Sequence, residues 1–131
     1  MASIRKEISI DAPAEHVWSA VRDVGRVHER LAKGFVTDTR LEQGARVVTF
    51  ANGLVVRELL VDVDDTQRRV AYAVVGGSAS HHHASMEVVE DGPGHSTLLW
   101  ITDLLPDEAC DSFRTMIERG SMVMKQTLEA R

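Results

Sequence analysis

Residues 106–131 read PDEACDSFRTMIERGSMVMKQTLEAR, and this stretch decides the fold of the chain. Its apolar residues recur every three or four positions, which predicts one long amphipathic helix. The predicted apolar face consists of Phe113, Ile117, Met124 and Leu128. The helix also carries Met116 and Met122, which are flexible, and the small pair Gly120 and Ser121, which leaves room beside the backbone. Two interpretations stay open: a helix that plugs a core, or a helix that closes a cavity.

The composition is that of an ordinary globular protein. The chain has 131 residues, 44% of them hydrophobic and 27% charged, which predicts a single domain over residues 1–131. No window is apolar enough for a membrane span and residues 1–10 lack the apolar core of a signal peptide, so we expect a cytoplasmic location. A net charge of -5 with dispersed Lys and Arg argues against nucleic acid as a partner. Cys110 is the only cysteine, which excludes an internal disulfide and zinc held by paired cysteines.

Upstream of the long helix, the pattern is that of strands and short turns. Residues 3–10 alternate apolar and polar side chains and predict a first strand, and two short helices are predicted from Pro13 to about Asp23 and over residues 24–31. Six further strands are predicted over residues 35–41, 45–50, 54–63, 69–75, 80–89 and 96–105. The turns between them are short, as at Asn52-Gly53, so the strands form an antiparallel meander.

A seven-stranded sheet of this length twists and curls. A helix laid into its concave face contacts only part of that face, so part of the surface is left as a pocket. The sequence therefore predicts an α+β fold in which a curved antiparallel sheet wraps around a long C-terminal helix, and it favours the cavity over the plugged core.

Several short motifs occur in the order and spacing of a known group. They are Ile10 to Trp18 (IDAPAEHVW), Val56 to Leu60 (VRELL) followed by Asp64-Asp65, Arg69 to Tyr72 (RVAY), and Ser96 to Trp100 (STLLW). Over its whole length the chain resembles the START-like or Bet v 1-like helix-grip (SRPBCC) superfamily, especially its polyketide cyclase/dehydrase branch. Residues 52–77 are also similar to the plant abscisic acid receptors. Those receptors have a proline after the glycine and leucine that match Gly53-Leu54, and this chain has none, so hormone sensing is not expected.

The resemblance implies which side chains face the cavity. Glu58 matches a carboxylate that points into the receptor pocket, and Lys33 matches the lysine that meets the ligand's carboxylate. The other implied pocket positions are Tyr72, His82, Phe113, Ile117 and Ser121.

Strand alternation by itself does not decide on which face of the sheet the Glu58 side chain lies. Val56, Glu58 and Leu60 share one face of the predicted strand, but both faces carry apolar residues. If Glu58 is inside, burial favours its protonated form unless Lys33 or a ligand compensates the charge. The alternative places Glu58 on the outer face or beside a neighbouring arginine.

Three consecutive histidines cannot all serve one site, because neighbouring strand residues point to opposite sides. His82 shares a face with Met86, so we expect it inside. There it hydrogen-bonds a ligand or moves a proton, or it is a core histidine satisfied by Tyr72 or by the backbone. His81 and His83 form an exposed pair without a third ligand, so no metal site is predicted.

These observations favour the binding of a small hydrophobic molecule (lipid, aromatic or polyketide-like) without a cofactor. Apolar walls are predicted from Tyr72, Met86, Trp100, Phe113, Ile117 and Met124, and orientation of the ligand from Lys33, Glu58 and His82. The second hypothesis is an aromatase/cyclase or dehydratase in which Glu58, His82 and Tyr72 act as general acids and bases. The third is a protein-interaction module with a collapsed cavity. It would use the outer sheet face around Leu99 and Ile101, through which a homodimer could also form.

Overall fold

The computed structural model describes residues 2–130 and has seven strands and two α-helices within them. The elements are β1 (Ala2–Ile10), α1 (Ala14–Val21), a π-helical turn (Val27–Leu31), β2 (Val36–Glu42), β3 (Ala45–Phe50), β4 (Val55–Asp64), β5 (Arg69–Val75), β6 (His81–Glu90), β7 (Ser96–Leu105), a 3₁₀ turn (Asp107–Ala109) and α2 (Cys110–Glu129). One sheet contains all the strands in the order β1-β7-β6-β5-β4-β3-β2, and each neighbouring pair is antiparallel. The predicted α+β helix-grip fold is confirmed.

The sheet presents one face to α2, and burial alternates along its strands accordingly. On β7 the buried side chains are Ser96, Leu98, Trp100, Thr102 and Leu104, whereas Leu99 and Ile101 lie half-buried on the opposite face. A homodimer through that face stays a prediction.

Helix α2 buries the face that its periodicity predicts. Its buried residues are Phe113, Ile117, Gly120, Ser121, Met124 and Leu128. Met122 is 63% exposed, because it lies on the side of the helix that points away from the sheet. No helix within residues 2–130 combines the length and the apolar character that a membrane crossing requires.

The second predicted short helix is wrong in type and length. Only a π-helical turn forms at Val27–Leu31, although Val27 and Leu31 do face inward. The Arg30 side chain ties this turn to the end of α1, since it donates to Asp23 Oδ2 at 2.9 Å and to Ser19 Oγ at 2.8 Å. These side-chain bonds hold the segment in place without a regular helix.

The β3–β4 hairpin sets the register that matters most for the inner face. Its turn contains Gly53 at a φ of 90°, and Asn52 Oδ1 accepts a hydrogen bond from the Leu54 amide at 3.0 Å. In this register Arg46 on β3 lies directly opposite Glu58 on β4. Two charged side chains are thereby paired on the face that α2 covers.

Candidate ligand-binding cavity

A cavity of about 440 Å³ lies between the inner face of the sheet and the N-terminal half of α2. Its apolar lining comes from Phe35, Phe50, Ala51, Leu54, Val56, Val74, Trp100, Phe113, Met116 and Ile117. Its polar lining comes from Asn52, Glu58, Tyr72, Ser78, His82, Thr102, Ser112, Thr115 and Arg119. The volume is in the range of small-molecule sites in proteins. The predicted cavity is thus present and is not collapsed.

Glu58 faces into this cavity and is neutralised by an arginine that the sequence interpretation did not select. Arg46 Nε donates to Glu58 Oε1 at 2.7 Å, and the two residues are only 4% and 8% exposed. Arg46 Nη1 also donates to the carbonyl oxygen of Val24 at 3.4 Å. A buried carboxylate requires such a counter-charge, because desolvation of an isolated ion is very costly. Arg46 therefore supplies the compensating charge that was expected from Lys33 or a ligand, as in the alternative with a neighbouring arginine.

Two aromatic residues extend this charged pair into a network. Trp100 Nε1 donates to Tyr72 Oη at 3.2 Å, and the guanidinium carbon of Arg46 lies 5.0 Å from the centre of the Tyr72 ring. Burial, reinforced by the Glu58 charge, raises the pKa of the Tyr72 phenol far above its ordinary value. Tyr72 is therefore neutral at physiological pH and keeps its proton for a hydrogen bond.

His82 also lines the cavity and packs against the helix. Its ring meets the Phe113 ring edge-on, with the ring centres 5.0 Å apart and the planes at 82°. Burial, with smaller contributions from His81 and His83, lowers the pKa of His82 to about 4. The imidazole is therefore uncharged at neutral pH. Within residues 2–130 no three histidine, cysteine or acidic side chains come together as a metal site.

At Gly120, helix α2 packs tightly against two aromatic rings of the cavity wall. A Cβ atom at this position would lie 3.3 Å from both the Phe35 and the Trp100 rings. Beyond this contact the groove is filled by packed side chains. Met86, Ser121 and Met124 were predicted at the ligand, but they lie buried outside the cavity lining.

Lys33 is also placed away from the cavity. Its side chain is exposed, and its backbone amide donates to Thr127 Oγ1 at 3.2 Å, near the C-terminal end of α2. The Lys33 backbone therefore packs against the C-terminal part of α2, and its side chain does not line the cavity.

The structure brings together six of the predicted ligand-binding residues. Glu58, Tyr72, His82, Trp100, Phe113 and Ile117 all line the cavity. Their contact with a ligand stays a prediction. The sequence interpretation missed Arg46, Thr102 and Arg119, of which Thr102 is buried with a hydroxyl that bonds to no atom of residues 2–130.

Comparison with known proteins identifies the family. The model for "polyketide cyclase / dehydrase and lipid transport" matches residues 1–128. No match was found among curated protein sequences.

Three solved structures share the fold. A START superfamily protein from Mycobacterium smegmatis has a TM-score of 0.77 at 12% identity, and the match covers 97% of this chain and 97% of that one. A truncated norcoclaurine synthase from Thalictrum flavum has a TM-score of 0.73 at 14% identity, with coverage of 99% and 94%. The di-domain ARO/CYC BexL from the BE-7585A biosynthetic pathway has a TM-score of 0.79 at 12% identity, with coverage of 98% of this chain and 45% of that one. At such identities the likeness concerns the fold alone. The family match over nearly the whole sequence, on a START-like fold, places this chain in the polyketide cyclase/dehydrase and lipid transport family.

Proposed function

We propose that this protein binds one small, largely apolar molecule that carries at least one polar group, in the cavity between the sheet and α2. The observation that carries the proposal is the cavity itself: about 440 Å³ of space, with mostly apolar walls and a few polar groups that converge on it. Sites for small molecules have this composition, because burial of the apolar body supplies affinity and the few polar groups set orientation.

The chemistry of the polar groups favours binding over catalysis. A general base works best when its pKa is near the operating pH, whereas the pKa of His82 is lowered to about 4. The Glu58 carboxylate is engaged by Arg46, and Tyr72 holds its proton firmly. These groups are suited to donate and accept hydrogen bonds with a bound molecule, and less suited to transfer protons to it.

The proposal is tested with N-phenyl-1-naphthylamine, an uncharged aromatic molecule whose fluorescence rises in apolar sites. We expect saturable binding, and native mass spectrometry of the purified protein should detect a small molecule bound to it. Absence of both signals contradicts the proposal.

A pair of adjacent valines on β5 supplies a matched test of location. Val74 lines the cavity, whereas Val75 is 49% exposed on the other face of the sheet. Val74→Phe should fill part of the cavity and weaken N-phenyl-1-naphthylamine binding by about tenfold, and Val75→Phe should leave it unchanged. Equal effects of the two substitutions would place the binding site elsewhere.

A second candidate is acid–base cyclisation of a bound polyketide-like chain. It is favoured by one observation: Glu58, Tyr72 and His82 all line the same cavity. A linear poly-β-keto thioester is the probe, and its cyclisation is followed by absorbance with wild-type protein, Glu58→Gln and His82→Gln. Acceleration that both variants lose while they still bind N-phenyl-1-naphthylamine supports catalysis. Equal rates with and without the protein remove it.

A further inference from the structure

One charge in the cavity lining has no partner among the described residues. Glu58 and Arg119 are the lining residues with charged side chains at neutral pH, and Glu58 is neutralised by Arg46. Arg119 is exposed at the mouth, and no carboxylate within residues 2–130 pairs with it. Its neighbour Glu118 is bound to Lys6 instead, at 2.8 Å. The cavity lining therefore carries one unpaired positive charge, on Arg119.

The helix itself leaves Arg119 free for another partner. On a helical surface, a side chain contacts residues three and four positions away. For Arg119 these are Thr115, Met116, Met122 and Val123, none of which carries a charge. Thr115 and Met116 line the cavity beside it. The guanidinium is thus flanked by one hydroxyl and by apolar surface, at the point where the cavity meets solvent.

We infer that the ligand is an amphipathic anion, whose apolar body fills the cavity and whose carboxylate or similar oxyanion stays at the mouth, bound to Arg119. This inference rests on the proposed function, since it assigns a charge to the molecule bound in the same cavity. Guanidinium binds carboxylate and phosphate oxyanions through paired hydrogen bonds. An anionic group at the mouth also keeps its contact with water, which avoids the cost of burying it among the aromatic walls.

The experiment compares dodecanoate with dodecanol, two molecules with the same chain and different head groups, as competitors that displace N-phenyl-1-naphthylamine. The protein should bind dodecanoate about five- to tenfold more tightly than dodecanol at low salt, and added NaCl should reduce this preference. Arg119→Gln should abolish the preference without changing the affinity for dodecanol. Arg119→Lys should retain part of it.

Arg114 provides the matched control. It is another exposed arginine on α2, but it does not line the cavity. Arg114→Gln removes the same net charge and should keep the preference for dodecanoate.

The outcomes separate this inference from the proposed function. If N-phenyl-1-naphthylamine binds but the wild type does not distinguish the two competitors, or if Arg119→Gln keeps the preference, the inference alone is overturned. If none of the three molecules binds, the proposed function fails and the inference fails with it.

Discussion

The two halves of α2 carry the same apolar pattern and end in different surroundings. In the N-terminal half, Phe113 and Ile117 line a cavity. In the C-terminal half, Met124 and Leu128 are 4% and 2% exposed and do not line the cavity. Gly120 separates the two halves, because its backbone lies against the Phe35 and Trp100 rings. An amphipathic stripe thus defines which side of a helix is covered, and the residues opposite decide whether that side is packed or open.

The elements that pack around each half of α2 explain why one half is closed and the other open. Helix α2 contacts β1, the π-helical turn and α1. Val27, Leu31, Val17 and Val21 from these elements belong to the same buried core as Met124 and Leu128. Around the open half, the walls come instead from the β3–β4 hairpin and the segment after β5, whose lining residues Asn52, Leu54, Gly77 and Ser78 are exposed. The cavity exists because no helix or strand of residues 2–130 fills the space beneath these loops.

The largest effect is expected at the buried ion pair in the wall of the open half. Arg46→Met removes the counter-charge and leaves the Glu58 carboxylate in a buried site. Loss of one partner from such a pair should lower the free energy of unfolding by about 3–5 kcal/mol, measured by urea denaturation. The control is the double variant Arg46→Met/Glu58→Met, which should recover most of this loss. A double variant as unstable as the single one would show that packing, and not charge, is the cause.

The two methionines on either side of Gly120 compare the halves directly. Met124→Ala leaves a hole in the closed core and should cost about 2–5 kcal/mol of stability. Met116→Ala only enlarges space that is already open, so it should cost less than about 1 kcal/mol and change the affinity for N-phenyl-1-naphthylamine. Denaturation and binding titrations of both variants measure these quantities. Equal losses of stability in the two variants would contradict the claim that the N-terminal half of α2 faces a cavity and the C-terminal half faces packed side chains.

The pH dependence of stability tests the burial of His82 in the open half. Its pKa is about 4 in the folded protein, against an ordinary value of 6.5, so the folded state excludes a proton that the unfolded chain takes up. The contribution of neutral His82 is complete above pH 6.5 and is lost as the pH falls from 6.5 towards 4. After allowance for solvent screening, the loss should be about 1 kcal/mol. Urea denaturation at several pH values should show it in the wild type.

Two histidine variants isolate that effect. His82→Gln should have a flatter stability profile between pH 6.5 and 4 than the wild type. His81→Gln, on the exposed neighbour, removes only a smaller contribution to that pKa and should keep most of the wild-type slope. A His82→Gln profile parallel to the wild type would show that His82 is not the group responsible.

The smallest effect on stability is expected at Gly120, which lies between the two halves of α2. Gly120→Ala gains about 1 kcal/mol of helix propensity, and crowding of the Phe35 and Trp100 rings offsets a similar amount. Stability should therefore change by less than about 1 kcal/mol. Because both rings line the cavity, their displacement should weaken N-phenyl-1-naphthylamine binding severalfold, as measured by fluorescence titration.

Ser121→Ala is the control for that substitution. It lies next to Gly120 but adds no volume, and it removes a buried hydroxyl that has no hydrogen-bond partner within residues 2–130. It should leave binding unchanged and stability equal or slightly higher. If Gly120→Ala binds as well as Ser121→Ala does, the close approach at Gly120 does not limit the cavity.

Most of the fold could be predicted from the sequence because it depends on periodicity and turns. The buried face of α2, the seven strands and the inward position of His82 all follow from spacing. The Arg46–Glu58 pair could also have been predicted. The two residues are equally far along the sequence from Asn52 in the hairpin turn, which places them opposite each other.

The limits of the cavity were not predictable in the same way. They depend on how closely the Trp100 ring approaches Gly120, which is a matter of three-dimensional packing and leaves no pattern in the chain. Packing of this kind also leaves Met86, Ser121 and Met124 outside the cavity lining. The position of Lys33 depends on where its turn docks against α2, which spacing along the chain does not indicate.

The most direct test of the central claim, that a ligand occupies the open half of the groove and not the closed half, uses the methionine methyl groups as reporters. Met116 lines the cavity, Met86 and Met124 are buried outside the cavity lining, and Met122 is exposed to solvent. Methyl NMR spectra of ¹³C-methionine-labelled protein are recorded as N-phenyl-1-naphthylamine is added. We predict a large, saturable shift of the Met116 signal with little change at Met86, Met122 and Met124. Shifts of Met86 and Met124 with an unmoved Met116 would contradict the account.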